Sequence, residues 1–266
     1  MSGDIRQQGR SAGWRRLAAI LGGLAIAAVT TVVTWAATKG VTTFDRAVTA
    51  RDPVTVSVQS NPSLAAGFAG TSVDLRLPAR AQPGSGPGQF CRGFRPWAQE
   101  RGGVDAGVSR LQIVVQGETE GRLLISEARA VVLERTASAA GIDVRCPSAG
   151  EAEFRALSVD LDAPDTRAQY ESGDGRPFGF TLDKGEIETF LVTATASRAD
   201  YAWYIELVVV AEGKPVTIRV DDGGRPFRTS PPAAGRVWEW DYESAWYPSD
   251  GGDPVPLPAP FGTGPS

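Results

Sequence analysis

The chain has 266 residues, with 27 basic and 31 acidic side chains, seven Trp, two Cys and no His. Four of the basic residues and one of the acidic precede residue 17, so the remainder carries 23 positive against 30 negative groups and lacks the basic surface a nucleic acid requires. The absence of His removes Ser-His-Asp and Cys-His nucleophile arrangements, and every His-based metal site, from this polypeptide.

Residues 1–16 form a basic stub containing Arg6, Arg10, Arg15 and Arg16. From Leu17 to Ala37 no residue is charged, and at about 1.5 Å per residue this run is long enough, as a helix, for a bilayer core of roughly 30 Å. A cleaved signal peptide has a shorter apolar region and a small residue near its cleavage site, where this chain has Trp35. The run is therefore predicted to be an uncleaved transmembrane helix. The Arg-rich stub would be cytoplasmic and everything after the span outside, with Trp14 and Trp35 near the two interfaces. Small residues spaced by four, Ala19, Gly23 and Ala27, would permit close approach of two such helices.

Residues 38–52 are read as a stalk, with Val41, Phe44 and Val48 at helical spacing until Asp52-Pro53 breaks the pattern. Residues 53–247 are read as one domain of short strands. Val54, Val56 and Val58 alternate with Thr55 and Ser57, and Val73, Leu75 and Leu77 repeat the period. Pro96 is placed to start a short helical turn near Phe94 and Trp97. Strand patterns follow at 110–117, at 122–134 with room for a bulge, at 154–162 and at 188–197. The run 201–211 is apolar on both faces and is expected to be central, with Tyr201 and Trp203 in the core; Gly213-Lys214-Pro215 then turns the chain into 216–222. Such strands, joined by Gly-, Pro- and Asp-rich loops, predict an all-β antiparallel β-sandwich. Residues 248–266, rich in Pro and Gly, are expected to be a disordered tail.

Cys91 and Cys146 both fall in the part assigned to the outside, where a single disulfide is the simplest pairing. Closing a loop of about 55 residues constrains the unfolded chain by roughly 4 kcal/mol on the chain-entropy model. No GxxxxGK[ST] loop is present and no GxGxxG lies between a strand and a helix, so no cofactor is expected. What survives is carboxylate chemistry or a calcium site, with Asp160, Asp162, Asp165, Asp221 and Asp222 at strand ends as the candidates. Solubility and turn capping also explain those Asp residues, and this plainer reading is the expectation.

The segment 237–247 is dense in aromatics. Packing across the sandwich as an edge strand is the expectation. The alternative is an exposed row in which Trp238, Trp240, Tyr242 and Trp246 offer a partner surface to a protein or a cell-wall glycan.

Gly102-Gly103-Val104-Asp105, Val115-Gln116-Gly117, Val159-Asp160-Leu161-Asp162 and the stretch DDGGRPFRTS at 221–230 resemble a family of uncharacterised single-pass membrane-anchored proteins of high-GC Gram-positive bacteria. The resemblance spans roughly residues 97–230 and the N-terminal apolar run, carries no activity or site, and implies a location in the cell envelope. Together these readings predict a membrane-anchored extracytoplasmic binding or interaction module. The rival is a glycan-acting envelope enzyme working through its Asp residues.

Overall fold

The computed structural model describes residues 52–65, 72–81, 86–88, 90–147, 155–171 and 178–256. The basic stub, the apolar run 17–37 and the stalk up to residue 51 lie outside the described residues. Among those described, no helix is long and apolar enough to cross a membrane.

The elements in chain order are β1 (Val54–Gln59), β2 (Val73–Pro78), α1 (Phe94–Gln99), β3 (Val104–Ala106), β4 (Val108–Gly117), β5 (Leu123–Thr136), β6 (Gly141–Cys146), β7 (Arg155–Asp160), β8 (Gln169–Tyr170) and β9 (Phe180–Leu182). They continue with β10 (Ile187–Thr195), β11 (Asp200–Ala211), β12 (Lys214–Val220), β13 (Phe227–Ser230), β14 (Val237–Trp240), β15 (Ala245–Pro248) and β16 (Val255–Pro256). The all-β expectation holds, with one short α-helix and a 3-10 turn at Pro62–Leu64 among the described residues. One sheet runs β1-β4-β10-β7-β8, and the larger runs β16-β15-β14-β6-β2-β3-β13-β11-β5-β9, with β12 also on β11. The sheets are mixed rather than antiparallel: β7 with β10, β3 with β13 and β6 with β14 are parallel pairs. Each parallel pair joins strands distant in sequence, so local alternation carries no sign of its direction.

Alternation does place the core. Leu111, Ile113 and Val115 of β4 and Phe190, Val192 and Ala194 of β10 meet Trp203, Ile205, Leu207 and Val209 of β11 and Leu123 and Ile125 of β5 in one apolar cluster between the two sheets. The central position expected for 201–211 is observed, since β11 pairs with β5 on one side and with β12 and β13 on the other. Two register shifts along β5 and β11 mark the expected bulge. The turn into β12 is tighter than the sequence suggested. Glu212 and Gly213 both have positive φ, 52° and 75°, and Lys214 already pairs with Ala211 as a two-residue hairpin requires.

A second, smaller core lies on the far half of the larger sheet, where Val73, Leu75, Leu77, Val144, Trp238, Trp240 and Trp246 pack under Phe94 and Trp97 of α1. Cys91 and Cys146 belong to this cluster and form the disulfide, with Cα atoms 5.6 Å apart. The aromatic segment is thus packed. Trp238, Trp240 and Trp246 keep 6%, 2% and 1% of their accessible surface, so the exposed partner row is corrected to a hydrophobic wall. Tyr242 is half-buried and donates its hydroxyl to the carbonyl of Pro147 at 2.7 Å. Pairing also extends past residue 247: Pro248 ends β15 and Val255–Pro256 pair back on it, so the tail expected from 248 returns to the sheet at 255–256.

A buried polar chain joins the two cores. The Arg95 guanidinium of α1 pairs with Asp105 of β3, Ser109 of β4 donates to the same carboxylate, and the Ser109 hydroxyl lies 2.6 Å from that of Thr229 in β13. Trp203, in the main core, donates its indole N–H to Thr229 at 2.9 Å. All five side chains are more than nine-tenths buried. Removing one member of a buried ion pair leaves the other charged and dry, a loss of about 3–5 kcal/mol. Arg95→Met is therefore expected to lower the unfolding free energy by about 3–5 kcal/mol in a denaturant melt. Trp240→Ala is expected to cost a similar amount, about 3–5 kcal/mol, by opening a cavity in the second core.

Candidate functional site

The carboxylates singled out from sequence are occupied with turn structure. Asp160 ends β7 and accepts the backbone N–H of Asp162, and Asp165 accepts that of Arg167. Asp162 accepts from the backbone and hydroxyl of Ser197 and from the Tyr201 hydroxyl. In β12 and the turn after it, Asp221 accepts from Arg219 and the backbone of Gly224, and Asp222 from Ser60 and Arg225. The Asp160–Asp165 group ends a strand of one sheet and the Asp221–Asp222 pair ends a strand of the other, and no bonding partner is common to the two. Among the described residues, no group of three acidic or sulfur side chains is arranged to hold a metal ion.

Asp162 shows what such a carboxylate does instead. Burial alone would raise its pKa, but the hydrogen bonds from Tyr201 and Ser197 outweigh it and hold the group below the usual carboxylate range. A general acid needs the opposite displacement. Tyr201 responds in kind: burial, and then its bond to the Asp162 carboxylate, push its phenol up to about 12.

A feature among the described residues that combines a hollow with uncommitted charge was not visible strand by strand. On the outer face of the larger sheet, register aligns Glu134 of β5 with Ala202 of β11 and Ala202 with Arg228 of β13. Thr229 pairs with Asp105 in the parallel step to β3, which puts Arg228 level with Val104, and Val104 pairs with Arg76 of β2, itself opposite Asp143 of β6. One cross-strand row therefore reads Glu134, Ala202, Arg228, Val104, Arg76, Asp143. Arg76 and Asp143 satisfy each other in a buried pair at 3.2 Å. Glu134 and Arg228 are exposed, and neither makes an ion pair or side-chain hydrogen bond to any described residue. Ala202 between them is too small to fill its place.

A cleft of about 190 Å³ opens along this row, with Glu134, Asp200, Ala202, Arg228 and Arg76 in its lining. Its rim is the connection from β5 to β6, which three bonds tie down: Arg76 donates to the Ser138 hydroxyl at 2.7 Å and to the Ala139 carbonyl at 3.5 Å, and Ala139 donates its backbone N–H to Asp200 at 3.2 Å. The second Asp200 oxygen, Oδ1, is buried and has no hydrogen-bond partner. No family model, curated protein or solved structure matches the chain. The cleft is thus the candidate site on its geometry alone.

Alternation already placed Tyr201 and Trp203 inward, which turns Ala202 outward. Which acid and which base flank it depends on pairing across three strands, and that is set by contacts far apart in the chain.

The Asp162 contribution can be checked by its pH dependence. A carboxylate whose folded pKa lies below its unfolded value of about 3.9 stabilises fully above that value and loses its effect as pH falls through the folded pKa. Asp162→Asn is therefore expected to be less stable than the parent at pH 7, with the gap in denaturant midpoint closing below about pH 4. The Tyr201 phenol works from the other side: stability is present below its unfolded pKa of about 10 and is lost as pH rises toward about 12.

Proposed function

We propose that the chain is a membrane-anchored extracytoplasmic binding module of the cell envelope, held by the apolar run 17–37 with its folded domain outside. The observation that carries the binding reading is the open cleft on the sheet, flanked around Ala202 by an acid and a base that pair with no described residue. Pockets that bind small molecules join a concave surface to a few polar groups free to orient a ligand, and this cleft has both. The disulfide supports the outside assignment, because such bonds persist in oxidising compartments. The carboxylates on which a glycan-acting enzyme would depend are engaged in turns, and the indoles that could have stacked on sugars are buried. A polar small-molecule or peptide group is thus the better-supported ligand than a sugar chain.

The location is tested on intact cells carrying a C-terminal epitope tag. Externally added protease is expected to remove the tag before lysis, and the protein is expected to run faster on a non-reducing gel than on a reducing one. A tag that survives until the cells are broken would overturn the reading.

A further inference from the structure

We infer that the cleft binds a small zwitterion of dipeptide size, its ammonium group toward Glu134 and its carboxylate on Arg228. The inference rests on the binding reading above and adds the chemistry of the ligand.

Strands lie about 4.8 Å apart, so the Glu134 and Arg228 positions, separated by β11, stand roughly 10 Å apart across Ala202. Both side chains extend several ångströms from the backbone, so a short molecule between them meets a charge-assisted hydrogen bond of about 2.8 Å at each end. Two residues of extended chain reach at most about 7 Å, less than the roughly 10 Å between the two backbones, so a dipeptide fits between them with the two side chains closing the remainder. The cleft volume of about 190 Å³ falls below the roughly 300–1,000 Å³ of pockets for drug-sized ligands, which also points to a molecule of few atoms.

Polarity is set at both ends. On the acidic side Asp200 of β11 stands opposite Thr136 of β5, two residues from Glu134, and its Oδ1 has no hydrogen-bond partner among the described residues. A cation is drawn there by both carboxylates. On the basic side Arg76 is already committed to Asp143 and Ser138, which leaves the Arg228 guanidinium as the free, fork-shaped donor that suits a carboxylate. An ordinary cross-strand ion pair would have closed this gap. With Ala202 between the two, the row keeps an acid and a base apart, and a ligand with the complementary charges completes it.

The test is calorimetric titration of the full-length chain with L-alanyl-L-alanine, its N-acetyl form and its C-terminal amide. The free dipeptide is expected to bind saturably and each blocked form at least tenfold more weakly. Arg228→Gln and Glu134→Gln, both at exposed positions, are each expected to weaken the free dipeptide about tenfold or more with an unchanged melting temperature, and Ala202→Leu to abolish binding by filling the gap. No saturable binding of the free dipeptide, or parental affinity in both charge variants, would overturn the inference. Equal binding of free and blocked forms, lost in Ala202→Leu, would sink the zwitterion while leaving a binding cleft. A domain found inside the cell would sink the envelope reading and leave the titration untouched.

Discussion

The Arg95–Asp105 pair is the constraint on which the arrangement of this domain depends. The larger sheet is too wide for one partner layer: half of it faces the smaller sheet, and the other half is covered by α1 and the Trp cluster. Two apolar cores on one sheet would be free to slide if only nonpolar contact joined them, because hydrophobic burial has no direction. Hydrogen bonds do. By running from α1 through Asp105, Ser109 and Thr229 to Trp203, the polar chain fixes the helix of one core to the central strand of the other. Within this polar network of five side chains every carboxylate oxygen and hydroxyl has a partner, and Arg95 Nε alone is left without one, so the network tolerates burial.

Much of the main core could be read from alternation alone. Val54, Leu111, Ile113, Leu157, Val159, Trp203, Ile205 and Leu207 all face inward as their period of two requires. The burial of Trp238, Trp240 and Trp246 is the expectation over an exposed strip, and it follows from β14 lying between β6 and β15 rather than at a free margin, while Tyr247 stays exposed. What alternation does not contain is pairing. The parallel neighbours β7–β10, β3–β13 and β6–β14 are separated by tens of residues, and no turn residue records which strand will lie beside which. The cleft belongs to this second kind of information. Glu134, Ala202 and Arg228 are unremarkable in their own segments and acquire a shared role only when three strands are laid side by side.

The same face shows two uses of charge. Arg76 and Asp143, next to each other in the row, bury themselves together and anchor the β5–β6 connection and the backbone of Ala233. Glu134 and Arg228, one strand further apart, stay solvated. A single intervening residue decides between structure and availability, and the Asp residues at the strand ends follow the same logic, each spending its oxygens on a nearby N–H or hydroxyl.

The last described strand, β16, lies at the outer margin of the larger sheet, with Pro256 opposite Ala245. Proline has no amide hydrogen, so the ladder of main-chain bonds loses a donor at the position where another chain would have to attach. Closing this margin with a proline strand removes a template for fibril growth from that side.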